Sequence, residues 1–221
     1  MANSKKFAVV LSGCGVLDGS EIHEAVMTLY AITLSGSSYE IFAPDVNQHH
    51  VVNHLNGSEV DQTRNVLVES ARIARGKIKP LGDFSSDVFD AIIFPGGFGV
   101  AKNLSSWAFD GAGCSVNADV ANAVRSMHRL HKPIGALCIA PVVIARILGG
   151  VTVTIGKDAA TVKEIETLGA RHQMALQTQV VVDEKNMIFS TPCYMLDATI
   201  VDIAEGAKAI VTGESLGQVA Y

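Results

Sequence analysis

Short apolar runs rich in β-branched residues alternate along this chain with longer segments whose apolar residues recur every three or four positions. The first pattern predicts strands and the second predicts amphipathic helices. Residues 7–11 read as a first strand. Residues 21–35 read as a helix, with Ile22, Ala25, Val26, Leu29 and Ile32 at helical spacing and Ser20 as its N-cap. Strand 39–43 and helix 59–75 follow, then strand 91–94, which Pro95-Gly96-Gly97 ends. Next come helix 118–130, strand 134–137 and a helix opened by Pro141 and stopped by Gly149-Gly150. Residues 151–155 read as a strand and 159–169 as a helix. Segments 179–182 and 187–190 flank Asp183-Glu184-Lys185-Asn186, a hairpin signal. A last helix is predicted over 195–216, with a break near Gly206. Strands that alternate with helices imply an α/β fold, a mostly parallel sheet covered on both faces. The 221 residues fit one domain without repeats or linkers.

In such sheets the functional site lies beyond the carboxyl ends of the strands. Three glycine-rich or small-residue turns follow strands here: Ser12-Gly13-Cys14-Gly15, Pro95-Gly96-Gly97-Phe98-Gly99 and the turn at Cys138. All three are expected to open on one sheet edge. Cys138 sits between an apolar strand and a helix, with Ala136 and Ala140 on either side. A nucleophile on a tight strand-to-helix turn needs small neighbours, and a nearby helix N-terminus favours its thiolate. A buried structural cysteine is the other reading of that segment taken alone. Gly97 and Ile139 amides are candidates for an oxyanion hole, with Gly96 keeping side chains out of the way. Glu21 and Glu24 lie three apart at the start of the first helix, on neighbouring parts of one face. Either complements the helix dipole; the sharper expectation is that one points across the first turn at Cys138 and moves protons there.

Further candidates for the pocket are His23 between the two acids, Cys14 as a second thiol, Asn103, and Tyr194 in Thr191-Pro192-Cys193-Tyr194 as a hydrogen-bond donor. His50 and His54 have helical i, i+4 spacing but no acidic or cysteine partner nearby, so no metal site is expected. Gly13-x-Gly15 lacks the third glycine of a dinucleotide fingerprint, since Asp18 holds that place. The stretch between Phe98 and Asn117, with Trp107 and Phe109 among glycines, is expected to form a lid.

A formal net charge of −5, a pI near 5.8 and no basic run argue against a nucleic-acid partner. The longest apolar run, 134–145, is interrupted by Pro141 and too short to span a bilayer. Residues 1–6 lead into the first strand with no apolar signal region. The four cysteines are widely spaced and form no C-x-x-C. A reduced, cytoplasmic protein is the expectation.

Four stretches together resemble a known family: Leu11–Glu24, Arg64–Ile73, Pro95–Leu104 (which includes Asn103) and Cys138-Ile139-Ala140-Pro141. They are similar to the enhancing-lycopene-biosynthesis (sigma cross-reacting) proteins. That group belongs to the PfpI and Parkinsonism-associated deglycase superfamily, built like class I glutamine amidotransferase domains. The resemblance covers nearly the whole chain. It implies a flavodoxin-like three-layer fold, a homodimer, and a nucleophile-elbow cysteine at Cys138. It places the acid that contacts the cysteine at Glu24, with Glu21 beside it, and the oxyanion donors at Gly96 and Gly97. It also implies a cofactor-independent glyoxalase acting on glyoxal or a similar small 2-oxoaldehyde. A redox-sensing or stress protein, or an amidotransferase-like scaffold supporting isoprenoid metabolism, is the alternative. The chain departs from related peptidases and amidotransferases at Ile139, where many carry histidine, and it has no histidine between Val151 and Ala170. A Cys-His-acid triad is therefore not expected.

Overall fold

A computed structural model describes residues 4–216. In chain order its main elements are β1 (Lys6–Val10), α1 (Ile22–Leu34), β2 (Ser38–Ala43), α2 (Val66–Ile73), β3 (Ile78–Pro80) and β4 (Ala91–Phe94). They continue with α3 (Trp107–Asp110), α4 (Ala118–Arg129), β5 (Ile134–Leu137), α5 (Pro141–Leu148), β6 (Thr152–Val153) and α6 (Ala159–Thr167). The chain then forms β7 (Arg171–His172), β8 (Val181–Asp183), β9 (Ile188–Thr191) and α7 (Ile200–Leu216).

The main sheet runs β3-β2-β1-β4-β5-β9-β8. All neighbours are parallel except the β8–β9 hairpin. Leaving aside the short edge strand β3, the parallel strands follow the flavodoxin-like order, and the chain reverses direction across the sheet between β1 and β4. Both faces are covered, which is why the strands read as nearly continuous apolar runs. Alternate residues of each strand enter different cores. Ala8, Val10, Ile92 and Phe94 face the layer built on α4, α5 and α6. Phe7, Val9, Ala91 and Ile93 face the layer with α1 and α7.

Several boundaries differ from the sequence expectation, each for a local reason. Ser20 does not cap α1; its hydroxyl accepts the Ser12 N–H at 2.8 Å, and Glu21 caps the helix through Glu24 N–H at 2.7 Å. The predicted helix 59–75 begins only at Val66, where Asn65 supplies the cap through Val68 N–H at 3.0 Å. Its first part is an extended arm instead: Val60 N–H donates to Val51 O at 2.8 Å and Glu59 bridges Val52. The last helix starts at Ile200, after a 3₁₀ turn over Cys193–Met195. It passes through Gly206 unbroken. A Cβ there would lie 3.3 Å from Thr191 Oγ1, so glycine lets α7 pack close to the end of β9. The sequence pattern does not mark strands β3 and β7; both are short, and β7 pairs with β6 in a separate two-stranded sheet. Among the described residues no helix is long and apolar enough to cross a membrane.

Candidate functional site around Cys138

The carboxyl ends of β1, β4 and β5 bring the three predicted turns together. Cys138 follows β5 and holds a left-handed backbone, φ 59°. This costs a non-glycine residue about 1–2 kcal/mol. The turn is held by its neighbours: Cys138 N–H donates to Thr191 O and Ala140 N–H to Leu137 O, both at 2.9 Å. Pro141 then starts α5 at its first turn. The thiol is only 8% exposed.

Glu24 is fully buried beneath it. Its Oε2 accepts the Gly96 N–H at 2.9 Å and its Oε1 accepts the Tyr194 N–H at 3.4 Å, and the carboxyl and the Cys138 sulfur close on the same point at Gly96. Glu21 anchors the same corner: its N–H donates to Gly96 O at 2.9 Å and its Oε2 caps Glu24 N–H. Gly96 is confined because a Cβ there would fall 2.7 Å from Glu24 Oε2 and 3.0 Å from Cys138 Sγ. Gly97, at φ 101°, has no room either: a side chain would collide with Glu21 N and Gly19 O. The Gly97 and Ile139 amides favour the charged form of the Cys138 sulfur.

Burial pushes the Glu24 carboxyl up to about 8, and the negative charge of Glu21 adds to the rise against the two amide donors. Burial likewise pushes the Cys138 thiol well above the usual range, with the Glu24 charge adding to it; the Gly97 and Ile139 amides work the other way. The physical consequence is one shared ionisation. Near neutral pH Glu24 keeps its proton, so its charge does not oppose a thiolate, and its O–H can donate to one. Both groups charged together is the state the burial forbids.

The remaining expectations divide. His23 and Tyr194 meet at the rim, Nδ1 to phenol oxygen 2.9 Å, with His23 Nδ1 also 3.9 Å from Glu21 Oε1. Cys14, expected in the pocket, has Glu69, Arg72 and Asp18 as its charged neighbours, and burial raises its thiol. The structure does not bring it to Cys138. The Asn103 amide donates to Ser12 O at 2.8 Å and Asp18 O at 2.9 Å and accepts His49 N–H at 2.9 Å, which ties three loops together. The expected lid is largely anchored: Leu104, Trp107 and Cys114 are buried, and Arg146 Nε donates to Cys114 O at 2.7 Å. Phe109, at its tip, stacks on His49 with ring centres 4.2 Å apart. His50 faces Glu59 at 3.3 Å, and His54 accepts Leu17 N–H at 3.1 Å. Sequence reasoning missed two contributors. Asp18, noted only where a glycine was missing, accepts Val52 N–H at 2.7 Å and fixes the first turn. Cys193, fully buried with φ 44°, shapes the turn that delivers the Tyr194 amide; Pro192 before it was the available signal.

The comparisons bear on the family and the fold. The chain is 46% identical over 216 residues to the human glutamine amidotransferase-like class 1 domain-containing protein 3, mitochondrial, covering 93% of this chain and 81% of that protein. It is 38% identical over 205 residues to the zebrafish (Danio rerio) ES1 protein, mitochondrial, covering 85% and 76%. The chain belongs to the ElbB/ES1 family. Within that family, a solved structure of an isoprenoid biosynthesis protein with amidotransferase-like domain from Ehrlichia chaffeensis superposes with a TM-score of 0.89 at 38% identity, over 96% of this chain and 98% of that one. Drosophila melanogaster DJ-1β shares the fold alone, with a TM-score of 0.58 at 18% identity over 97% and 92%. No protein-family model matches the chain. The cytoplasmic expectation is overturned: the human, rat and zebrafish members of the ElbB/ES1 family are all described as mitochondrial. Widely spaced reduced cysteines do not separate one reducing compartment from another.

Proposed function

We propose that the chain is a cofactor-independent glyoxalase that converts glyoxal, or a similar small 2-oxoaldehyde, to the corresponding hydroxy acid. The observation that supports it most is the close approach of the buried Glu24 carboxyl and the Cys138 sulfur at Gly96, beside two amides that favour the thiolate. From the singly ionised pair, with the charge on sulfur and the proton on Glu24, the Cys138 thiolate adds to one aldehyde carbon of glyoxal, and the new alkoxide takes the Glu24 proton to give a hemithioacetal. The Glu24 carboxylate then removes the C–H proton to give an enediol and returns it to the neighbouring carbon, while the hydroxyl proton of the attacked carbon passes to the neighbour's oxygen. The attacked carbon is oxidised to a thioester and its neighbour reduced to a CH₂OH group, so no outside oxidant is needed. Water cleaves the thioester, releasing glycolate and the Cys138 thiolate; one of the two protons set free returns to Glu24 and the other leaves to solvent. A carboxyl held near 8 suits both directions of transfer. The Gly97 and Ile139 amides stabilise charge at the reacting centre.

The test is glycolate production from glyoxal by purified wild type and Cys138→Ala, without glutathione or added metal. Turnover in wild type that vanishes in the variant supports the reading; no turnover in either removes it. A second reading is favoured by the description of the Ehrlichia relative as an isoprenoid biosynthesis protein. In it the chain is an amidotransferase-like scaffold supporting isoprenoid metabolism through a partner. A specific, stoichiometric protein partner of the purified chain, with no aldehyde turnover, favours that reading.

A further inference from the structure

The first turn of α1 and the turn after β9 are joined twice through a single residue. Tyr194 donates its backbone N–H to Glu24 Oε1 at 3.4 Å, and its phenol meets His23 Nδ1 at 2.9 Å. The first contact is long, so a small movement of the turn removes it. The turn is also strained, since Cys193, immediately before Tyr194, holds φ 44° without being glycine. Such backbone persists only where its surroundings hold it. On the buried side, Cys193 is enclosed near Thr191 and Gly206. On the solvent side, the hold is the His23–Tyr194 contact. His23 is a half-exposed side chain whose polar partners are the Tyr194 phenol and, at 3.9 Å, Glu21 Oε1.

We propose that the His23–Tyr194 bridge is a positioning device: it ties the phenol to α1, keeps the Tyr194 amide on Glu24, and so fixes the carboxyl beside Cys138. The inference rests on the reading of Glu24 as the proton partner of Cys138. The titratable groups facing the Glu24 carboxyl are Glu21 on its own helix with His23 beside it, Cys138 on the elbow, and Cys193 and Tyr194 on the turn. The Tyr194 amide stabilises the charged form of Glu24. Loosening the bridge therefore makes the carboxyl harder to ionise.

The experiment follows the pH dependence of Cys138 alkylation by iodoacetamide, which needs no turnover. Wild type should show a step near pH 8 that Glu24→Gln abolishes. In Tyr194→Phe and in His23→Phe the step should move up by about half a pH unit, the size expected for one weakened amide donor. The double variant should shift no further than either single one, because both break the same link. His23→Gln, which can still donate to the phenol, should restore the wild-type step. A step that stays in place while melting temperature falls overturns the proposal, as do additive shifts or a wild-type profile with no Glu24-dependent step. Bridge variants that shift the step in a protein that makes no glycolate would leave this inference standing and remove the glyoxalase reading.

Discussion

Gly96→Ala puts the whole site arrangement under one methyl group. The new Cβ would stand 2.7 Å from Glu24 Oε2 and 3.0 Å from Cys138 Sγ, and it would press on Cys138 Cβ more closely still. Distances below 3 Å between such atoms are not tolerated, so something must move. The Cys138 backbone is already in a left-handed conformation tied to Thr191, and Glu24 is enclosed by its own hydrogen bonds. Neither can swing away as a surface side chain can. Overpacking of this kind costs about 1–3 kcal/mol. At roughly 2–4 °C per kcal/mol for a chain of this size, the melting temperature should fall by about 2–12 °C. The larger effect should be chemical. A displacement of a few tenths of an ångström to 1 Å between reacting groups costs up to about 100-fold in rate. Gly82→Ala is the control, because its Cβ would meet only Asp119 Oδ2 at 3.8 Å. Calorimetry and iodoacetamide alkylation of Cys138 read the two effects. If Gly96→Ala alkylates and melts like Gly82→Ala, the close approach of Gly96, Glu24 and Cys138 is not as described.

Glu24 should leave a mark on stability. Its folded pKa is raised to about 8 from an ordinary 4.5, so the folded state holds the proton more tightly. Stability is then greatest below about pH 4.5, falls by a few kcal/mol as pH rises to about 8 at roughly 1.4 kcal/mol per unit, and is flat above. Denaturant melts of wild type and Glu24→Gln across that window should diverge with this sign, and parallel curves would refute it. Asn103→Ala should cost about 2–4 kcal/mol, since it leaves Ser12 O, Asp18 O and His49 N–H without their partner; a change under about 0.5 kcal/mol in urea unfolding would count against its clamping role. Cys138→Ala should retain a melting temperature within a few degrees of wild type while its glycolate production drops to background, because the thiol's part is chemical and its left-handed turn is held by backbone hydrogen bonds.

Much of this architecture is legible before any coordinates. The strands at 91–94 and 134–137 match β4 and β5 because both are buried on each face and read as unbroken apolar runs. The elbow is legible for the same reason: an apolar run that stops at a cysteine and is followed by Pro141 has few other places to go. Glu21 and Glu24 are visible from helical spacing, though which one turns inward is not. That depends on Gly96 presenting its amide, a contact 72 positions away. What fails in the reading is local pattern overruled by distant contacts. Residues 59–65 have helical spacing, yet Val60 N–H finds Val51 O and the segment extends. Ser20 is a good cap by type, yet its hydroxyl is occupied by Ser12. Cys14 lies in a turn that does reach the site edge, but the side chain on the turn faces Glu69 and Arg72 on α2, a direction the sequence does not encode. Compartment is harder still, because it depends on signals unrelated to the packing of this fold.

The most direct measurement is rapid quenching of wild type mixed with glyoxal, followed by peptide mass analysis. The account predicts a covalent adduct on the peptide carrying Cys138 that forms and decays as glycolate is released. An adduct on Cys14, or a Cys138 adduct that never decays to glycolate, would contradict it.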